Sequence, residues 1–282
     1  MLSLDQKEYI KKHAYIPEHL TEYVVSISQS EPFLFDEYIL YFKDSHLIFI
    51  GYPLGKTHSK EETEKILDIT IEKFKPKSVA LISPFSLISK GKILYKTSDF
   101  YYHLSLSHFM LNSYLKNTIK RALKEVITQK CNNITEQHIE LIYEFIKTHQ
   151  VDEYTKLIFK KIPDYINFSE TTVLFNAIDK KGNLSGFSIA DYGADKYAFY
   201  MFNFISRRDY VPGVSDLLLY EIIKEAKTRN KLYLNLGLGI NKGIEFFKKK
   251  WSGEPFLNYE FCLYKVSKVF SLLDTLKKLF PF

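Results

Sequence analysis

The sequence predicts a mixed α/β fold, on three observations. Strand-like apolar runs alternate with amphipathic helical stretches along the 282 residues. The order hairpin, helix, strand occurs once in each half of the chain, and a β-β-α-β order belongs to a layered sheet rather than a helix bundle. The content is 46% hydrophobic and 16% aromatic, enough for a sizeable core, and the length admits two domains.

The elements follow in order. Tyr38–Phe42 and Leu47–Ile50 read as strands of a hairpin within Phe33–Tyr52, joined by the polar turn Lys43-Asp44-Ser45-His46. Ser59 with Glu62 three residues on has the capping-box pattern of a helix start, and Ile66, Ile69, Ile71 and Phe74 supply that helix with an apolar side. Ser78–Ile82 reads as a buried strand and Phe100–Leu106 as another. Leu111–Ile127 reads as a basic helix carrying Lys116, Lys120, Arg121 and Lys124, followed by helices at Thr135–Thr148 and Val151–Ile162.

Strands resume at Thr172–Ile178 and Ser185–Tyr192 around the turn Asp179-Lys180-Lys181-Gly182-Asn183. Tyr197–Ile205 is a third, strongly aromatic strand. A helix at Asp216–Thr228, a strand at Lys231–Leu236, a helix at Lys242–Trp251, a strand at Tyr259–Lys265 and a short helix at Leu272–Leu279 complete the reading. The expected division is an N-terminal domain over 1–130, a helical junction over 131–165 and a C-terminal domain over 166–282.

Charge and composition narrow the function classes. Lys and Arg number 39 against 33 Asp and Glu, a formal charge of +6 that suits an anionic partner. No basic cluster interleaved with aromatics marks a dedicated nucleic-acid binder. Two cysteines, Cys131 and Cys262, argue against a disulfide scaffold, and the eight histidines show no metal-ligand spacing, so no metal is expected. The first residues carry charges throughout and do not read as a signal peptide. No window reaches eighteen uncharged apolar residues, so no stable membrane span is expected and the expected compartment is the cytoplasm. A homodimer is left open.

Chemistry concentrates between Ser206 and Tyr264. Pro212-Gly213 turns the chain into a helix that Ser215 or Asp216 can cap. Free N–H groups at such a start can hold a pyrophosphate, with Arg207 and Arg208 adding charge-assisted contacts. A plain strand-to-helix connection accounts for the same residues. At Leu234-Asn235-Leu236-Gly237-Leu238-Gly239 a strand ends in a loosened chain. If it splays from Tyr197–Ile205, a slot opens for an extended amide-bearing arm. Asn235 then orients that arm or the acceptor, or simply satisfies a turn. From Asn241 to Gly253, Ile244, Phe247 and Trp251 recur at helical spacing beside Lys242, Lys248, Lys249 and Lys250, giving an anion-binding rim or a solvated basic face.

On these residues the chain resembles the GNAT-fold acyltransferases. More narrowly, it resembles the tandem-GNAT branch holding the C-terminal domain of phosphatidylglycerol lysyltransferases and the FemA/FemB/FemX aminoacyltransferases. The resemblance rests on Gly213-Val214-Ser215-Asp216-Leu217-Leu218 opening a helix, Leu234-Asn235-Leu236-Gly237 on the next strand, and Gly243-Ile244-Glu245-Phe246-Phe247-Lys248-Lys249-Lys250-Trp251-Ser252-Gly253 before an aromatic strand. Asn117, Lys120, Arg121, Ala122 and Lys124 add a basic helix of the same look.

The resemblance implies two tandem GNAT-like domains and a donor of acyl-CoA (or acetyl-CoA) or aminoacyl-tRNA type. That donor is held at Phe204, Ile205, Arg207, Arg208, Gly213, Val214, Ser215, Asn241 and Lys248, with a small-molecule or peptide acceptor. Two departures stand out. Arg208 lies five residues before Gly213, so the phosphate loop is longer than the family pattern, and Ser215 ends it. The position seven after Asn241, where many GNAT enzymes carry a tyrosine acid, holds Lys248, which leaves the acid to Tyr259 or Tyr264, or to no side chain at all. The expected reaction is direct attack of an amine or hydroxyl on the donor carbonyl. Backbone N–H groups near Phe204 and Ile205 hold the oxyanion, and Asp216 and Tyr259 are the candidate bases. Lys248, read as solvated, is assigned to binding an anion. A degenerate fold used only for binding is the non-enzymatic alternative.

Overall fold

The computed structural model describes residues 2–87 and 91–266. The expected helix at Leu272–Leu279 lies outside the described residues. Two helices, α1 (Leu4–His13) and α2 (Thr21–Ser28), precede the first strand, with a 3-10 turn at Pro17–His19 between them. The sequence reading assigns nothing there, because neither helix has a sustained apolar stripe. Only Ile10 of α1 and Val24 of α2 are buried.

The first hairpin is β2 (Tyr38–Lys43) and β3 (His46–Ile50), preceded by β1 (Glu31–Phe35). Asp44 and Ser45 both take positive φ, the backbone that a tight two-residue hairpin turn requires. In α3 (Lys60–Phe74) the Ser59 hydroxyl accepts from the Glu62 N–H at 3.3 Å. The Glu62 carboxylate does not close a capping box but pairs with Lys56 at 2.7 Å. Its buried stripe is Thr63, Ile66, Leu67 and Thr70, whereas the expected core residue Ile69 is exposed.

Then come β4 (Ser78–Ser83), β5 (Gly91–Ser105), α4 (Ser113–Ala122) and β6 (Val126–Cys131). The basic helix therefore ends at Ala122, and Val126 and Ile127 belong to a strand. Its partner is β7 (Thr172–Asp179), distant in sequence, so local periodicity does not reveal the pairing. After α5 (Glu136–Thr148), the helix expected over Val151–Ile162 is α6 (Glu153–Lys160), followed by α7 (Ile162–Phe168), which has Pro163 in its first turn. The remainder is β8 (Leu184–Asp191), β9 (Tyr197–Ile205), α8 (Val214–Thr228), β10 (Tyr233–Leu238), α9 (Lys242–Lys250) and β11 (Glu254–Val266).

All these strands form one mixed sheet of eleven, in the order β1-β2-β3-β4-β11-β5-β10-β9-β8-β7-β6. Two pairs are parallel, β3 with β4 and β9 with β10, and each is linked through a helix, α3 or α8. The repeated hairpin-helix-strand order thus corresponds to two parallel crossovers in a single sheet. The closing strand β11 inserts between β4 and β5, and β5 in turn pairs with β10. The boundary expected at 130/131 falls inside β6, and α4, expected in the N-terminal part, packs with α8 in one core cluster. Exchange of β5 and β11 binds early and late parts of the chain into the same layer, which element order alone does not reveal.

Helix α8 lies on that layer with Leu217, Leu218, Leu219, Ile222, Ile223 and Ala226 all buried, in a cluster with Leu234, Leu236, Tyr102 and Trp251. Strand β8 is buried along its whole length, because helices cover both of its faces. On the opposite face of the sheet, Ala14 and Leu20 pack on Phe199.

Candidate functional site

The site is built where β9 and β10 part. Their parallel pairing covers Tyr233 with Tyr197, Leu234 with Ala198 and Asn235 with Phe199, and then stops. Strand β9 runs on to Ile205, while β10 bulges between Asn235 and Gly237 against β5. Asn235 causes that geometry. Fully buried, it accepts from the Gly237 N–H at 2.8 Å and donates to the Tyr15 carbonyl at 2.9 Å. Both ends of its amide are therefore engaged in holding the bulge and the N-terminal segment. Of the two readings of Asn235, these bonds fit the one in which it satisfies the local backbone. Gly237 supplies the positive φ of +74° that the bulge needs.

Beyond Phe199 one edge of β9 has no partner in β10. The Ser206 N–H donates to Ser185 O on β8, and Ile205 and Phe204 stand opposite Gly186 and Phe187. Alternation along an antiparallel pair then turns the Phe204 N–H toward β8 and the Ile205 N–H toward the open edge. Of the two amides expected to hold an oxyanion, only that of Ile205 faces the slot. Phe204 itself is a core residue, stacked on Phe187 at 5.2 Å.

At the start of α8, Gly213 has φ +86° and no side chain caps the helix. A Cβ at Gly213 would lie 2.9 Å from Thr118 Cγ2 and 3.2 Å from Thr118 O. The glycine is thus demanded by α4 as well as by backbone conformation, rather than by a ligand on that side. Val214 is buried beneath it. Ser215 turns inward, its hydroxyl accepting from Asn203 Nδ2 at 3.3 Å, and Asn203 in turn accepts from Ser188 at 2.7 Å. Arg207 and Arg208 are exposed on the loop, and Arg208 is paired with Asp209 at 2.9 Å.

Asp216 does not serve as a free base. It is buried, and its Oδ1 accepts from Trp251 Nε1 at 2.8 Å and from Lys250 at 2.6 Å. Tyr259 is ill suited to the role of a base. Burial first, then the Glu18 carboxylate, raises its phenol well above the ordinary range, so it stays protonated. Asn241 caps α9, its Oδ1 accepting from Gly243 and Ile244 N–H at 3.0 Å each.

Lys248 is the residue whose reading changes most. It is 3% exposed rather than solvated. Its amine donates to the Leu238 carbonyl just past the bulge and sits 5.4 Å from the centre of the Tyr102 ring. A Cβ at Gly237 would lie 3.9 Å from Lys248 Nζ and 4.0 Å from the Tyr200 carbonyl. The amine thus stands beside the point where β9 and β10 part. Desolvation lowers its pKa from the ordinary 10.5 to about 7, against the opposing pull of Asp99 and Glu245.

Sequence reasoning missed Asp99, whose carboxylate accepts from Gly239 N–H at 3.2 Å and Ile240 N–H at 2.7 Å and so fixes the loop after β10. It also missed Tyr102 and Asn203, which carry no local motif and enter only through β5 and β9. Among the described residues no group of three or more His, Cys, Asp or Glu can hold a metal ion. No helix among them is long and apolar enough to cross a membrane.

A mixed sheet with a helix-linked parallel pair that splays above a helix start defines the GNAT-like class of fold. No family model and no curated protein matches the sequence. Solved structures do share the architecture. FemX aligns over 97% of this chain and 99% of its own, at 11% identity and TM-score 0.61. The C-terminal domain of a putative lysylphosphatidylglycerol synthetase from Agrobacterium fabrum aligns over 90% of each chain, at 13% identity and TM-score 0.60. A tandem GNAT protein from the clavulanic acid biosynthesis pathway aligns over 82% of this chain and 78% of its own, at 9% identity and TM-score 0.51. The fold is therefore that of the branch the sequence resembles.

Proposed function

We propose that this protein transfers an acyl or aminoacyl group, from a CoA thioester or an aminoacyl-tRNA, to an amine or hydroxyl acceptor. The observation that carries this reading is the end of β9–β10 pairing at Asn235 and Phe199 with the buried Lys248 amine beside it. The donor carbonyl lies along the open edge of β9 just beyond Phe199, close to Lys248, where backbone N–H groups without a β10 partner stabilise the developing oxyanion. Its leaving group points toward Lys248. The acceptor nitrogen or oxygen forms the new bond to the carbonyl carbon, the C–S or C–O bond to the donor breaks, and the acceptor proton passes to solvent. The departing thiolate or alkoxide takes a proton from the Lys248 ammonium. Lys248 thus stands in for the tyrosine acid absent from the position seven after Asn241. The donor's phosphates lie toward the uncapped start of α8, near Arg207, the exposed cations Lys116, Lys120 and Arg121 of α4, and Lys124 just after it.

Titrating acetyl-CoA and an aminoacyl-tRNA in parallel, on wild type and Lys248→Met, tests this. Binding of one donor, with transfer lost in Lys248→Met while binding persists, supports the reading and selects the donor. No binding of either overturns it. A second reading, a binding protein on a transferase fold, is favoured by one observation: Asp216, Asn235 and Asn241 are all engaged in structural hydrogen bonds.

A further inference from the structure

A cavity of about 400 Å³ opens on the sheet face that carries α1 and α2, lined by α1, α2, the end of α7 and the loop after β8. It is built separately from the slot between β9 and β10. Ala14 and Leu20, which line it, pack on Phe199, the last β9 residue paired with β10. Its walls are largely apolar, from Leu2, Ile10, Ala14, Leu20, Val25 and Phe168.

Three carboxylates line this space: Glu8, exposed and facing Lys11, and the more enclosed Asp191 and Glu22. Asp191 is 1% exposed and already saturated, accepting from Tyr165 at 2.5 Å, Thr171 at 2.9 Å and the Gly193 N–H at 2.7 Å. Glu22 is half-buried and has no ion-pair partner among the described residues. Desolvation raises its pKa, the Ser169 hydrogen bond opposes that rise, and the neighbouring carboxylates of Asp191 and Glu170 add to it. A carboxylate so placed beside a second one gains from a cation that brings its own apolar body. The lysines that also line the cavity, Lys7 and Lys11, are exposed, and Lys11 faces Glu8 at 3.8 Å.

We propose that this cavity binds a primary amine carried on an aliphatic body, with the ammonium on Glu22 and the hydrocarbon against Ile10, Leu20 and Val25. The site stands whether or not the transfer reading holds, because no residue of the β9–β10 slot enters it.

Hexylamine, hexanol and hexanoate, titrated by calorimetry against the full chain, test this directly. Hexylamine is expected to bind at least about tenfold more tightly than hexanol or hexanoate, the strength of one charge-assisted hydrogen bond. Glu22→Gln is expected to remove that preference with the circular dichroism spectrum unchanged. Val25→Trp, at a partly exposed position, is expected to fill the cavity and abolish binding, and it serves if Glu22→Gln misfolds. Hexanol binding as tightly as hexylamine, an unchanged affinity in Glu22→Gln, or no binding to wild type would each overturn the proposal.

Discussion

Trp251 Nε1 donates a 2.8 Å hydrogen bond to Asp216 Oδ1, joining the end of α9 to the first turn of α8. Lys250 approaches the same oxygen at 2.6 Å. One buried carboxylate thereby clamps together the two helices that frame the slot. Asp216→Ala leaves an indole N–H and an ammonium without their acceptor and is expected to cost about 3 kcal/mol. Asp216→Asn keeps an acceptor for the indole and should cost less than Asp216→Ala. Urea unfolding of both variants checks the order.

Lys248 predicts two pH dependences of opposite use. For stability, the folded chain gives up the Lys248 proton near pH 7 while the unfolded chain keeps it to about 10.5. Between those values the unfolded state binds more protons, so stability contributed by this group rises with pH. Below pH 7 both states are protonated and the full cost of burying the charge is present. Lys248→Met should therefore gain more stability at pH 6 than at pH 10, read from denaturation midpoints at the two values.

On the proposed transfer reading the protonated Lys248 amine is the proton donor, and that reading predicts a rate that falls as pH rises through about 7. Lys248→Arg, which stays charged, should lose that alkaline limb even where its overall rate is lower. A pH–rate profile that keeps the limb in Lys248→Arg would assign it to another group.

Gly213→Ala meets two obstacles, a φ of +86° and a Cβ 2.9 Å from Thr118 Cγ2. A loss of about 1–3 kcal/mol is expected. Adding Thr118→Ser removes the methyl but not the backbone strain or the Thr118 carbonyl contact, so the double variant should recover part of the loss. Thermal melts of the single and double variants measure it.

Asn235→Ala leaves the part-buried Tyr15 carbonyl and Gly237 N–H without the Asn235 amide, and about 1–3 kcal/mol is the expected cost. Asn235→Asp keeps the acceptor for Gly237 but faces the Tyr15 carbonyl with an oxygen, so it should not rescue stability at neutral pH. Equilibrium denaturation of the two variants decides.

Much of the fold is legible locally. The hairpin at Tyr38–Ile50, the Ser59 cap, strand Tyr197–Ile205 and the apolar helix ending at Thr228 follow from period, turn chemistry and capping. Leu123–Cys131 misleads because Val126 and Ile127 fit a helical stripe as well as a strand, and only the β7 ladder decides.

The candidate site divides the same way. By itself the sequence determined the residue types: a glycine turn before an apolar helix, an asparagine beside a loosened strand end, and a lysine where many GNAT enzymes carry a tyrosine. Tertiary structure alone decided their employment. It buried Asp216 under Trp251, engaged Asn235 in a bulge, and set Lys248 where desolvation lowers its pKa to about 7. Hydrogen-bond partners and dielectric surroundings are supplied by segments distant in the chain, here β5, the end of α9 and the N-terminal Tyr15. No local pattern encodes which distant group will arrive.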